Sequence, residues 1–121
     1  MINFEKKDRY LLIVGEGERK DLLRLLQGAT KIYSIIEETK SRLVLFDYRN
    51  VNFQIDNVAA FNTVRFYEQK LPNLTNVNAA VVLQETNISI GHVWGEVAKA
   101  RGYNFKVFTD FNAAEEWLLK Q

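Results

Sequence analysis

From residue 10 onward, short apolar runs alternate with longer stretches whose apolar residues recur every three or four positions. That alternation constrains the fold more than any other feature of the chain. Tyr10-Leu11-Leu12-Ile13-Val14, Leu43-Val44-Leu45-Phe46, Ala79-Ala80-Val81-Val82-Leu83 and Phe105-Lys106-Val107-Phe108 read as strands, and runs of this kind fit strands covered on both faces. Leu22, Leu25, Leu26, Ala29, Ile32, Tyr33 and Ile36 form one stripe of an amphipathic helix from about Asp21 to Thr39. Phe61, Val64, Tyr67 and Leu71 form a second stripe, and Ile90, Val93, Trp94, Val97 and Ala98 a third. Trp117 and Leu118 face inward on a last helix, with Trp117 read as core or as lining a dimer contact. Ile2 to Glu5, followed by a tight turn at Lys6-Lys7-Asp8, adds an opening hairpin. The order is β-β-α-β-α-β-α-β-α. With right-handed crossovers it predicts an α/β fold, a mixed β-sheet flanked by helices.

The breaks between elements have their own chemistry. Gly15 and Gly17 are read as ending the second strand, and the third strand as ending near Asp47-Tyr48. Asp56 stands where an N-cap carboxylate accepts from free amides of the first helical turn. Pro72 stops that helix, because the residue before a proline is pushed out of the α region. Ser89 is expected to cap the next helix and Gly102 to close it as a left-handed residue. Asn112 and Glu115 have the spacing of a capping box for the last one.

At 121 residues the chain is expected to form one domain, residues 1–121, with a core of its own. Apolar residues make up 47% of it, a globular rather than a disordered composition. Lys plus Arg number 16 and Asp plus Glu 15. That balance gives no electrostatic case for nucleic-acid binding. The absence of cysteine removes disulfides, thiol nucleophiles and thiolate metal sites together. No apolar run approaches the ~20 residues that span a bilayer. The opening MINFEKKDRY lacks a secretory apolar segment, so the expected location is cytoplasmic.

Three passages carry a resemblance. LVLFDYRNVNFQIDNV, from Leu43 to Val58, is similar to the strand-to-helix passage of STAS domains, in which an aspartate ends the strand. The long helix between the hairpin and that strand is a second feature. The ending KVFTDFNAAEEWL, from Lys106 to Leu118, is the third. With the order of elements, these make the whole chain resemble the STAS superfamily, in its SpoIIAA-like, Sec14-related branch. The resemblance implies a regulatory, partner-binding domain of the kind that antagonises anti-sigma factors. Many such antagonists carry an Asp-Ser-Ser-Gly turn whose second serine is phosphorylated. Here the four positions are Ile55, Asp56, Asn57 and Val58, and Asn57 has no hydroxyl to accept a phosphoryl group.

Other candidate chemistry is sparse. Gly15-Glu16-Gly17 lacks the third glycine of a dinucleotide loop, since position 20 is Lys20. His92 is the only histidine, and no compact set of carboxylates accompanies it in sequence. Asp47 lacks the acidic pair and the strand-end lysine of a receiver domain. Gly91 and Gly95, four apart on one helix face, are read as permitting close helix-to-sheet packing. No catalytic, metal or cofactor site is expected.

In open α/β sheets, ligands bind outside the carboxyl ends of the strands. Residues 50–57, 84–89 and 109–112 are therefore expected to share one surface. The leading expectation is a non-enzymatic module docking a protein partner, or a second copy of itself as a homodimer. Its contact residues would be Tyr48, Asn50, Asn52, Phe53, Asp56, Asn57, Thr86 and Asn87. Tyr48 and Phe53 would form an aromatic contact site if exposed together. The alternative is a domain binding a small apolar molecule or a lipid, which requires a cavity between helices and sheet. A third reading, an enzyme using His92, Asp47 or Glu85, needs those groups brought together.

Overall fold

The computed structural model describes residues 2–121, with the backbone alone at residues 72 and 73. The elements are β1 (Ile2–Lys6), β2 (Leu11–Arg19), α1 (Leu22–Thr39), β3 (Leu43–Phe53), α2 (Asn57–Lys70), β4 (Asn78–Leu83), α3 (Ile88–Ala100), β5 (Asn104–Phe108) and α4 (Phe111–Leu119). Short 3-10 turns, Pro72–Asn76 and Glu85–Asn87, lead into β4 and α3. The order is the one the periodicity predicts.

The five strands lie in the order β1-β2-β3-β4-β5. β1 pairs antiparallel with β2, and every later pair is parallel. The three parallel steps all move the same way across the sheet. Crossovers of one hand then place α1, α2 and α3 on one face. That face holds the larger core, built on Leu11, Ile13, Val44, Val81 and Leu83. α1 packs on β2, α3 on β5, and α2 between α1 and α3. The alternate strand residues, Leu45, Ala80 and Val82, point to the other face, where Ala114 and Leu118 of α4 cover them. Parity along each strand thus assigns every residue of the central sheet to one core or the other.

Two strands run further than predicted. β2 does not end at Gly15 but continues through Gly17 to Arg19, and β3 continues past Tyr48 to Phe53. Between the pairs Val14↔Asp47 and Glu16↔Asn50, β3 carries one extra residue. Beyond this bulge the strands pair again, from Glu16↔Asn50 to Arg19↔Phe53. Gly17, at φ 97°, supplies a backbone conformation that costs other residues strain. The segment Asn50-Val51-Asn52-Phe53 has strand period. Val51 and Phe53 are buried, while Asn50 and Asn52 are exposed.

The caps are partly as expected. Asp56 Oδ1 accepts from the Ala59 amide at 2.9 Å, α2 ends at Lys70 ahead of Pro72, and Gly102 takes φ 88° after α3. Ser89 does not cap α3 but lies inside it, because the chain enters that helix through the Glu85–Asn87 turn. Nor does Asn112 cap α4. Asp110 does, accepting from the Ala113 amide at 3.2 Å. A carboxylate there also faces the positive end of the helix dipole. Among the described residues no helix is long and apolar enough to cross a membrane.

Candidate functional site

At the carboxyl ends of β3 and β4, specific contacts join the predicted surface segments. Asn87 Nδ2 donates to the Val51 carbonyl at 3.0 Å, tying the turn after β4 to the β3 extension. Arg49 grips Asp47 with two bonds, Nε to Oδ1 at 2.8 Å and an Nη to Oδ2 at 2.7 Å. Its guanidinium carbon also lies 5.2 Å from the Phe111 ring centroid, at the start of α4. The Arg49 bonds hold the Asp47 carboxyl below its ordinary pKa, against the opposing effect of burial. Thr86 Oγ1 bonds Gln84 Oε1 at 3.1 Å on the same edge.

Of the eight predicted contact residues, Asn50, Asn52, Asp56, Asn57 and Thr86 are exposed. The other three are not. Tyr48 and Phe53 are buried at 8% and 7% exposure, so the aromatic contact site is corrected to core. Tyr48 keeps the parity of Val44 and Phe46, and the extra residue of the bulge brings Val51 and Phe53 to the same helix side. Tyr48 lies over Gly15, where a Cβ would come within 2.6 Å of its ring. Phe53 meets Trp94 edge-on at 5.3 Å. Asn87 is buried at 5% exposure with its amide committed to Val51. Asn87→Ala should cost about 1–3 kcal/mol in urea unfolding, because the Val51 carbonyl is left without its donor.

The groups considered for catalysis are not assembled. Asp47 alternates with Phe46 and Tyr48 and so faces the α4 side. His92 is exposed on α3, across the sheet, and Glu85 is exposed at the start of its turn. Among the described residues no group of three or more His, Cys, Asp or Glu is placed to hold a metal ion.

A different feature lies under the helices. Between α1, α2, α3 and the sheet is an apolar cavity of about 90 Å³. Phe46, Ala79 and Val81 form its floor, Ile32 and Ile36 one wall, and Trp94 and Ala98 the opposite wall. Tyr67 enters from α2, with Tyr48 and Tyr103 also on the lining. Leu74 and the exposed Asn104 stand on the side that reaches solvent. Its lining includes no charged residue. Three inward positions that would otherwise fill the space are alanines: Ala29, Ala79 and Ala98. Trp94 Nε1 is buried without a hydrogen-bond partner, an uncommon state for an indole N–H. Burial raises the pKa of the Tyr48 and Tyr67 phenols, and each also feels a neighbouring phenol, so both stay neutral.

The sequence reading expects contacts at the carboxyl ends of the strands and, as the alternative, a cavity between helices and sheet, and an apolar cavity lies there. The one signal for the cavity was small residues on otherwise bulky apolar stripes, at Ala29 and Ala98.

No protein-family model matches the chain, and neither does any curated protein. A solved structure does. It is the crystal structure of an uncharacterized protein of the DUF3478 family, with a SpoIIAA-like fold, from Shewanella loihica PV-4. The two are 19% identical and superpose with a TM-score of 0.58, over 98% of this chain and 92% of that one. The chain therefore has a SpoIIAA-like fold: a mixed five-stranded sheet with three crossover helices on one face and a last helix on the other.

Proposed function

We propose that this SpoIIAA-like domain is a non-catalytic binding domain that takes one compact, mostly apolar molecule in the cavity beneath α1, α2 and α3. The observation that carries the reading is the cavity itself, bounded by apolar side chains and by a few polar ones, the usual composition of small-molecule sites. Magnitude narrows the ligand. A volume of about 90 Å³ is well below the roughly 300 Å³ at which pockets for drug-sized ligands begin. A lipid chain is too large for it, and a single six-membered ring, of the size that occupies an apolar cavity of roughly 150 Å³, is the upper limit.

The test is a filling substitution. Ala98→Leu adds three carbons where Ala98 now borders empty space, in a helix that favours leucine. Wild-type protein should show a rise in melting temperature that saturates with added cyclohexanone, and Ala98→Leu should show none. Absence of a saturable rise in the wild type removes the reading.

A second reading, docking of a protein partner, has its own support. Asn50 and Asn52 are exposed at alternate positions on the β3 extension, beside Asp56, Asn57 and Thr86. Such a surface offers hydrogen bonds from a rigid strand. With Asn57 in the first turn of α2, partner binding would not be switched by phosphorylation at that position. Self-association through the same surface is distinguished by sedimentation of Asn50→Lys/Asn52→Lys against wild type.

A further inference from the structure

Resting on the ligand-binding reading, we infer that the cavity selects an uncharged, ring-sized molecule bearing a carbonyl-class hydrogen-bond acceptor, and that the hydroxyls of Tyr48 and Tyr67 are its selectivity groups. Two observations carry this. First, the lining includes no lysine, arginine, histidine, aspartate or glutamate. A charged ligand group would lose its hydration there with no counter-ion to replace it, a penalty of several kcal/mol. Second, Tyr48 and Tyr67 reach the cavity from the sheet and from α2, and among the described residues neither hydroxyl is engaged in a hydrogen bond. A tyrosine buried in a core normally finds a partner for its O–H. The polar groups without protein partners at this cavity therefore include two donors, the phenol O–H groups. A ligand acceptor is the complementary chemistry.

The experiment compares probes of nearly equal shape. Cyclohexanone and methylenecyclohexane differ in C=O against C=CH₂, and cyclohexanecarboxylate adds a charge. Their affinities are measured by calorimetry for wild type, Tyr48→Phe, Tyr67→Phe and the double variant. Phenylalanine keeps each ring, and no protein hydrogen bond is lost, so all variants are expected to fold with melting temperatures at or above wild type. The affinity ratio of ketone to alkene should fall about 3- to 10-fold in each single variant, the worth of one hydrogen bond. It should fall further in the double variant. The carboxylate should bind at least about 100-fold more weakly than the ketone. An unchanged ketone-to-alkene ratio in the double variant overturns this inference and leaves the cavity reading standing. Failure of both ketone and alkene to bind wild type overturns the cavity reading itself.

Discussion

Gly91→Ala should lower the stability of this domain by about 1–3 kcal/mol, although glycine-to-alanine changes inside helices usually raise it by about 1 kcal/mol. The sign reverses because of what lies below. A Cβ on Gly91 would sit 2.4 Å from Leu83 Cδ1 and 3.0 Å from Val107 Cγ1. Leu83 is 1% exposed and does not border the cavity, so it has no empty space to swing into. Either α3 lifts from the sheet or Leu83 leaves its rotamer, and both cost more than the backbone entropy gained. Gly95, one turn along the same helix, is the control. Its Cβ would meet nothing closer than 3.6 Å, an ordinary contact. Gly95→Ala should therefore follow the usual rule and stabilise by about 1 kcal/mol. Urea unfolding of the two variants, with unchanged m-values, checks the pair. The sequence showed two glycines on one helix face, and only the structure separates the one that is needed from the one that is replaceable.

Leu118→Ala should have the larger effect, a loss of about 2–5 kcal/mol. The reason is the unequal cover of the sheet. Three helices protect one face, but on the other α4 alone packs over Leu45, Ala80 and Val82, with Leu118 fully buried among them. Removing its side chain opens a cavity beneath a nine-residue helix that has few other anchors. Those are Ala114, Phe111, Glu115, which accepts from the Tyr10 hydroxyl at 2.6 Å, and Trp117, whose ring stands 5.9 Å from that of Phe108. Collapse of α4 onto the gap is limited by the Arg49 contact at its start and by the Tyr10–Glu115 hydrogen bond in its middle. The loss should appear as a lower urea midpoint. A change below about 1 kcal/mol would mean that α4 is not the cover this packing describes.

Most of the architecture was legible because periodicity and parity are local properties. The apolar runs at Leu43–Phe46 and Ala79–Leu83 are covered on both faces, as continuous hydrophobicity requires. Asp56 caps α2 because an N-cap depends only on three residues of spacing. Errors arose where local signals competed. Asn50 and Asn52 have turn chemistry, yet they alternate with Val51 and Phe53, and pairing with β2 beyond the bulge decided for strand. That extension turns Phe53 into the core beside Tyr48, and the predicted aromatic site with it. Asp110 outcompeted Asn112 as a cap by two residues. The cavity was out of reach for a different reason. Alanines at 29, 79 and 98 lie far apart in the chain, and only packing shows that their missing methyl groups adjoin one space.

The domain's two tryptophans provide the most direct measurement of the central claim, that the space beneath α1, α2 and α3 is a binding site. Trp94 lines the cavity, and Trp117 stands on the α4 side of the sheet. Two indole N–H signals in a ¹⁵N–¹H spectrum of the whole chain therefore report on the two faces separately. Titration with cyclohexanone should move the Trp94 signal saturably, as the indole lining the cavity gains a neighbour, and leave Trp117 in place. A Trp94 signal that stays fixed, or that moves only in parallel with Trp117 without saturating, would contradict the account.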